Sequence, residues 1–184
     1  VAAGKFTAVD PTTIGFNSGV ILSTGCISNV IGPNTEDGAT CSNGQPGDPD
    51  LTSLAGFPTF DAAVLHFDLV PTRTPLTFEY VFGSEEYNEY SNTQFNDVFA
   101  FYVNGANCAL VPGTNQPVSV NTINGGNPLG TNPQNPQYYR NNELRDASGN
   151  FVSGGAGIDT QLDGLTTVLT CTANVTPVSY THLT

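Results

Sequence analysis

Glycine and proline interrupt every stretch of this sequence that is long enough to form a helix. The 184 residues include 20 Gly and 13 Pro, and both residue types destabilise the interior of a helix. Apolar and polar residues instead alternate over short runs, which is the pattern of half-buried strands. We therefore predict an all-β chain with strands at Ser18–Ser23, 62–69, 76–82, 95–103, 118–122 and 166–172.

Long polar segments separate these predicted strands. Residues 29–58 and 124–136 are rich in Gly, Pro, Asn and Asp, which are residues that dominate turns. Short strands joined by long surface loops favour an antiparallel β-sandwich, jelly-roll-like, within one domain. The predicted core contains the aromatic residues on the apolar faces of the strands, which are Phe67, Phe78, Tyr80, Phe82, Phe99 and Phe101.

The chain is strongly acidic, with 16 Asp and Glu against 4 Lys and Arg and a formal net charge of -12. Nucleic acids and anionic membrane surfaces are bound through basic side chains, so we expect neither as a partner. No apolar run is long enough for a transmembrane helix, so direct membrane insertion is not expected. Divalent cations and an extracellular glycan or protein remain as partners.

Four cysteines, Cys26, Cys41, Cys108 and Cys171, allow three disulfide pairings. Because no C-x-x-C motif is present, a zinc site is unsupported, and an oxidising, extracellular compartment is preferred. The sequence does not fix the connectivity. We predict the pairs Cys26–Cys41, which brackets one long loop, and Cys108–Cys171, which joins the segment after the 95–103 strand to a late strand.

Aspartates begin three of the apolar rows. Asp61, Asp97 and Asp163 each share a strand face with apolar residues, where an unpaired carboxylate is costly. For Asp61 and Asp97 two interpretations are open, namely hydrogen bonds from loop N–H groups or a shared cation. For Asp163, which follows Asp159 in a Gly-rich turn, we expect loop amides.

The segment "VFGSEEYNEYSNTQFNDVFAFYVNG" at 81–105 contains four acids and no base. If residues 62–103 form an up-down-up meander, its acids meet Asp61 at one end of the strands. Such oxygen-rich clusters suit Ca²⁺. The residues predicted to converge on one structural Ca²⁺ are Asp61, Glu85, Glu86, Asn96 and Asp97. The segments "NTEDG" and "GDPD" also resemble calcium loops, but neither has the full spacing of an EF-hand loop.

A catalytic use of the same acids is the alternative. Glu85 or Glu86 with Asp97 would give the two carboxylates of a carbohydrate-active enzyme of the glycoside hydrolase type. No nucleophile elbow G-x-S-x-G is present. Because no complete catalytic constellation is visible, a non-enzymatic role is favoured.

Several long motifs carry a resemblance to a known family. "FEYVFGSEEYNEY" and "FNDVFAFYVNG", followed by "ALVPGTNQPVSVNTIN", resemble the choice-of-anchor L domain family of bacterial and archaeal surface proteins. "NSGVILSTG", "GDPDLTSLAGFPTFDAAVLHFDLVP", "YYRNN" and "DTQLDGLTTVLTCTANVTP" are similar to other parts of that pattern, so the similarity spans about 15–177.

The resemblance implies an extracellular or cell-surface protein attached through a C-terminal sorting signal, and it contributes no catalytic residues. The family pattern continues after "NVTP" with a further strand. We therefore expect one domain at 1–177, truncated at its C-terminal end, and a non-native tail at 178–184. No signal peptide or initiator Met is present, so a processed product or fragment is expected. The predicted function is a secreted or cell-surface non-enzymatic interaction or adhesion module with a structural Ca²⁺ site.

Overall fold

In a computed structural model, residues 2–146, 148, 150 and 157–177 are described. These residues are mostly in strands and loops, which confirms the predicted all-β class. The predicted tail at 178–184 lies outside the described residues. The strands are β1 (Ala2–Thr7), β2 (Ser18–Ser23), β3 (Leu76–Tyr80), β4 (Gly83–Ser84), β5 (Val98–Phe99), β6 (Tyr102–Val103), β7 (Ala106–Asn107), β8 (Val118–Ser119), β9 (Tyr139–Asn141), β10 (Gly164–Thr166) and β11 (Leu169–Ala173).

One short α-helix, α1 (Pro49–Ala55), lies within the segment predicted to be a loop. The side chain of Asp48 accepts hydrogen bonds from the N–H groups of Asp50 and Leu51 at 2.9 and 3.1 Å, and Pro occupies the first turn. Gly56 ends the helix in the left-handed conformation. These local capping signals form a helix that is too short to show a periodic apolar face. Two 3-10 helices lie at Ile27–Val30 and Pro136–Tyr138.

The described strands form five small antiparallel sheets. The strand orders are β1-β2, β4-β10-β9, β11-β3, β5-β8 and β6-β7. Among the described residues, these sheets are small and unclosed. A sandwich of the jelly-roll type therefore stays a prediction.

The predicted meander over 62–103 is wrong. Residues 62–69 form no strand, and β3 pairs with β11 while β5 pairs with β8. Val64, Leu65 and Phe67 are each more than half exposed. Alternation predicts which face of a strand is apolar but carries no information about its partner, and here both partners come from later in the chain.

The hydrophobic core differs from the predicted one. Its fully buried cluster consists of Val111, Val118, Ile123 and Leu169, and Tyr80 and Phe82 pack against it while remaining partly exposed. Other predicted core residues form a half-buried group in which the rings of Phe78 and Phe101 stack at 4.4 Å. The ring of Phe67 forms T-shaped pairs with both of these rings, at centroid distances of 6.5 and 6.4 Å.

Both predicted disulfides are confirmed. Cys26 bonds to Cys41 and Cys108 bonds to Cys171, with Cα–Cα distances of 5.6 and 5.0 Å. The second bond fastens β11, which contains the fully buried Cys171, to a segment 63 residues earlier. The strand pair β3-β11 is thereby linked to the segment that precedes the core residue Val111.

Candidate functional site

The three-stranded sheet brings acidic residues from distant segments together. Gly164 of β10 pairs with Ser84 of β4 on one side and with Asn141 of β9 on the other. Because both pairings are antiparallel, the residue before Gly164 lies beside the residues that follow Ser84 and Asn141. Asp163, Glu85 and the segment 142–143 therefore meet at one end of this sheet.

Close packing fixes the sheet at this end. Tyr87 is fully buried, and its ring centroid lies 4.9 Å from that of Tyr139. A Cβ atom on Gly164 would lie 2.7 Å from a carbon of each ring, so only glycine fits between them. The tyrosine pair thus holds the start of β10 in place beside the acids.

A fourth segment is held against the sheet by buried amide groups. The side-chain N–H of Asn34 donates to Asp163 Oδ1 at 2.7 Å and to the carbonyl of Asn142 at 2.9 Å. Gln161 Nε2 donates to Asn34 Oδ1 and to the carbonyl of Glu36, each at 2.9 Å. These bonds position Asp37, the next residue.

Three carboxylates converge at this point. Asp37, Glu143 and Asp163 each place one oxygen such that the three oxygens lie within 4.8 Å of one another. Asp163 is completely buried, Glu143 is 8% exposed and Asp37 is exposed. Asp163 Oδ2 is buried without a hydrogen-bond partner. Glu143 accepts hydrogen bonds from the N–H groups of Asn88 and Leu144 at 3.1 and 3.2 Å.

Two further acids adjoin these three, and we call the five residues Asp37, Glu85, Glu89, Glu143 and Asp163 the acidic cluster. Both carboxylate oxygens of Glu85 are buried without hydrogen-bond partners. Burial raises the pKa of Glu85 to about 7, although the nearby Ala39 N–H opposes this rise, and the charges of Glu89 and Glu86 add to it.

The cluster is electrostatically strained. Burial raises the pKa of Asp163 to about 9, and repulsion from Glu85, Glu143 and Glu89 adds to the effect of burial. The side chain of Glu89 is exposed, but partial desolvation, followed by repulsion from Glu143 and Asp37, raises its pKa to about 7. Each of these carboxylates is therefore disfavoured in its charged form unless a cation is near.

One basic side chain reaches the outer edge of the cluster. Arg145 Nε lies 3.6 Å from Asp37 Oδ2, and both side chains are substantially exposed. Exposed ion pairs of this kind stabilise a protein weakly. This ion pair leaves Asp163 Oδ2 without a hydrogen-bond partner.

A small surface pocket of about 210 Å³ opens beside the cluster. Three cluster acids, Asp37, Glu89 and Glu143, form part of its wall, whereas Asp163 is buried and does not line it. The pocket is lined by Asp37, Asn88, Glu89, Asn127, Leu129, Glu143, Arg145 and Asp146.

The predicted ligand Asp61 lies outside the acidic cluster, in a loop that supplies hydrogen-bond donors. Its carboxylate accepts hydrogen bonds from Ser42 Oγ and the Asn43 N–H, each at 3.0 Å, and from the Gln45 N–H. The Gln45 N–H holds the pKa of Asp61 below its usual value. Of the two interpretations that the sequence leaves open for Asp61, the hydrogen bonds from loop N–H groups are present.

The other predicted ligands also have separate partners. Asp97 Oδ2 accepts a hydrogen bond from Ser84 Oγ at 2.8 Å, and Ser84 Oγ accepts one from the Glu86 N–H at 2.9 Å. Asn96 donates to the carbonyl of Ala55 and accepts from the Asn121 N–H. Burial, followed by the charge of Asp97, raises the pKa of Glu86.

Of the five predicted ligands, Glu85 is the one that belongs to the acidic cluster, and a shared cation among all five stays a prediction. Sequence reasoning missed Asp37, Glu143 and Glu89 as cluster members and expected loop amides at Asp163. Two signals pointed toward them: Asp37 lies in the calcium-like segment "NTEDG", and Asp163 begins an apolar row. Glu143 lies in a polar loop and carries no such signal.

Disulfides are typical of proteins in oxidising, extracellular compartments, and the described residues contain two of them in an all-β fold. The chain matches the Choice-of-anchor L domain over residues 1–184 and belongs to that family. Family membership indicates a module of a surface-anchored protein, and the two disulfides fit an extracellular location.

Searches of curated proteins and of solved structures gave no match. Within the part of the chain that the structure describes, no helix is long and apolar enough to cross a membrane.

Proposed function

We propose that this domain is a secreted, non-enzymatic interaction module that binds a neutral, hydroxyl-rich ligand, such as a glycan on a neighbouring surface. The observation that carries the proposal is the composition of the pocket beside the acidic cluster. Amides from Asn88 and Asn127 and carboxylates from Glu89, Glu143 and Asp146 line it. An adhesive role follows if the glycan is attached to another cell.

The hydrogen-bonding groups in the pocket suit hydroxyl groups. An ionised carboxylate only accepts hydrogen bonds, an amide side chain both donates and accepts, and a hydroxyl group does both. A sugar hydroxyl can therefore donate to a carboxylate and accept from an amide. The acids of the wall and the net charge of -12 oppose an anionic ligand, so a neutral one is favoured.

The size of the pocket limits the ligand. Its volume of about 210 Å³ is below the roughly 300–1,000 Å³ that is typical of sites for drug-sized ligands. One terminal sugar residue fits this scale better than an extended chain. Leu129 provides an apolar part of the wall against which the C–H face of a sugar can pack.

The acids of the predicted glycosidase pair do not line the pocket. Glu85, Glu86 and Asp97 are absent from its wall, whereas a glycosidase needs two carboxylates on opposite sides of the scissile bond of its bound ligand. The Asp97 carboxylate accepts a hydrogen bond from Ser84 Oγ, which itself accepts one from the Glu86 N–H. These observations support a binding role for the pocket.

A glycan array combined with a hydrolysis screen tests the proposal. We expect binding of neutral glycans, weakening at least tenfold in Asn127→Ala, which changes the pocket wall. Asn43→Ala, beside Asp61 and outside the pocket, is the matched control and should bind normally. Selective binding of acidic glycans, or turnover that Glu86→Gln abolishes without unfolding the protein, would overturn the proposal.

A further inference from the structure

We propose that Asp37, Glu143 and Asp163 bind one Ca²⁺ ion at the inner end of the pocket. The ion would connect the buried end of the three-stranded sheet to the segment that carries Asp37. This site shares only its neighbour Glu85 with the calcium set expected from the sequence. It goes beyond the proposed ligand binding and stands whether or not the pocket binds a glycan.

The observation that points to a ligand is the unsatisfied oxygen of Asp163. The residue is completely buried, and Oδ2 has no hydrogen-bond partner. Oδ1 is held at 2.7 Å by Asn34, whose own side-chain oxygen accepts a hydrogen bond from Gln161. A buried polar atom without a partner destabilises the folded state, and a charged atom does so more strongly. A bound cation supplies the missing partner.

Protonation of Asp163 does not remove this cost. A protonated Oδ2 becomes a hydrogen-bond donor and then needs an acceptor, but Oδ2 has no partner of either kind. A proton on one residue also leaves the carboxylates of Asp37 and Glu143 close to each other. A divalent ion neutralises several of these charges together, which a single proton cannot do.

The ligand type favours Ca²⁺, and the spacing of the oxygens accommodates it. The three candidate ligands are all carboxylates, which hard cations prefer over the nitrogen and sulfur ligands of zinc sites. Ca²⁺–oxygen distances of 2.3–2.6 Å allow ligand oxygens to be up to roughly 4.6–5.2 Å apart across the ion. The three oxygens lie within 4.8 Å of one another. Mg²⁺ demands near-ideal octahedral geometry and usually keeps several waters, so a site built from protein carboxylates suits Ca²⁺ better.

Neighbouring groups offer further coordination. Ca²⁺ takes six to eight oxygen ligands, and three carboxylates supply three to six of them. Glu85 has two buried oxygens without partners, and its charge acts on Asp163. Water from the open pocket can complete the shell. The exposed ion pair of Arg145 with Asp37 spans 3.6 Å, so it is a weak competitor for one outer ligand.

Calorimetric titration of CaCl₂ into chelator-treated protein, without any glycan, tests the site together with thermal melting. We expect one Ca²⁺ per chain and a higher melting temperature, and Asp163→Asn should weaken binding at least tenfold. Asp61→Asn is the matched control, because it removes the same charge outside the cluster. If the Asp163 variant does not fold, Asp37→Asn, which changes an exposed ligand, replaces it in the titration.

Several results would overturn the site. One is the absence of binding heat and of any shift in melting temperature at millimolar Ca²⁺. Another is equal Ca²⁺ affinity in the Asp37 or Asp163 variant and in the Asp61 control. A third is Mg²⁺ binding as tightly as Ca²⁺. Because the titration contains no glycan, its failure leaves the glycan-array result unaffected. Failure of glycan binding likewise leaves the calorimetric result unaffected.

Discussion

Asp61 and Asp163 begin apolar rows of the same kind, yet the structure surrounds them differently. Asp61 accepts three hydrogen bonds from Ser42, Asn43 and Gln45, and the Gln45 N–H lowers its pKa. Asp163 has one oxygen without a partner, and burial raises its pKa to about 9. A carboxylate on an apolar row is thus either satisfied by its loop or left in need of a ligand, depending on which donors the fold brings to it.

The donors of the two aspartates explain this difference. Those of Asp61 come from the loop directly after Cys41, which the Cys26–Cys41 disulfide fastens. The neighbours of Asp163 are acids from three other segments, together with the amide of Asn34. The first environment supplies N–H groups and the second supplies mostly negative charge.

The largest expected effect comes from removing the support beneath the acidic cluster. Tyr87→Ala deletes a completely buried ring that packs on Tyr139 and Phe82. Large-to-small changes of buried aromatic residues cost about 3–5 kcal/mol, so the free energy of unfolding, measured in urea, should fall by that amount.

The conservative change Tyr87→Phe is the control for this variant. It removes a buried hydroxyl that has no hydrogen-bond partner, so the free energy of unfolding should hardly change. Equal destabilisation by the Ala and Phe variants would show that the hydroxyl, rather than the packing of the ring, stabilises this region.

Removing the Cys26–Cys41 disulfide tests the loop around Asp61. The bond closes a loop with a sequence separation of 15 residues, and such loops contribute roughly 3 kcal/mol. The double variant Cys26→Ser with Cys41→Ser should lose about that much stability. Hydrogen exchange at the Asn43 and Gln45 N–H groups should also become faster. Unchanged exchange rates at these groups would show that the disulfide does not stabilise the hydrogen bonds to Asp61.

The two aspartates should respond to pH with opposite signs. In chelator, the folded chain keeps a proton on Asp163 up to about pH 9, whereas the unfolded chain loses it near pH 4. The folded state therefore binds more protons in this window, and stability falls as pH rises, by up to about 1.4 kcal/mol per pH unit for each proton.

Asp61 contributes in the reverse direction, because its folded pKa is lowered. Its contribution is present above the unfolded pKa and is lost as pH falls through the folded value. Urea unfolding between pH 3 and pH 9 should show a weaker alkaline loss in Asp163→Asn and a weaker acid loss in Asp61→Asn. The same pH dependence of stability in both variants would show that the two aspartates do not differ in how they contribute to folding.

The smallest effect is expected for Asp61→Asn at pH 7. Asparagine keeps one side-chain acceptor for the loop N–H groups and tolerates the left-handed backbone at this position, where φ is 52°. The free energy of unfolding should change less than in the Tyr87→Ala variant and the disulfide variant, and urea titration checks this. A loss as large as that of Tyr87→Ala would mean that the charge itself holds the loop.

Local sequence was sufficient for the class of fold and for some of its strands. Frequent Gly and Pro argued against long helices, and alternation located β2 with its observed bounds and all of β3, which the prediction extended by two residues. The spacing of the cysteines supported the disulfides that are present, although it did not fix them. The family was recognisable from long motifs around "SEEYNEY". Apart from the Cys108–Cys171 pair, which spans 63 positions, these properties depend on residues close in sequence or on composition.

The tertiary structure decided which distant segments became neighbours. β3 pairs with β11 rather than with residues 62–69, although the two strands lie almost a hundred positions apart in the sequence. The alternation of apolar and polar residues does not indicate which strand is the partner. The same holds for the acidic cluster, where Asn34 reaches Asp163 across 129 positions. Sequence could show that Asp61 and Asp163 were costly on apolar rows. Only the fold could determine which received N–H donors and which received other acids, because the energy of a charge depends on what surrounds it in space.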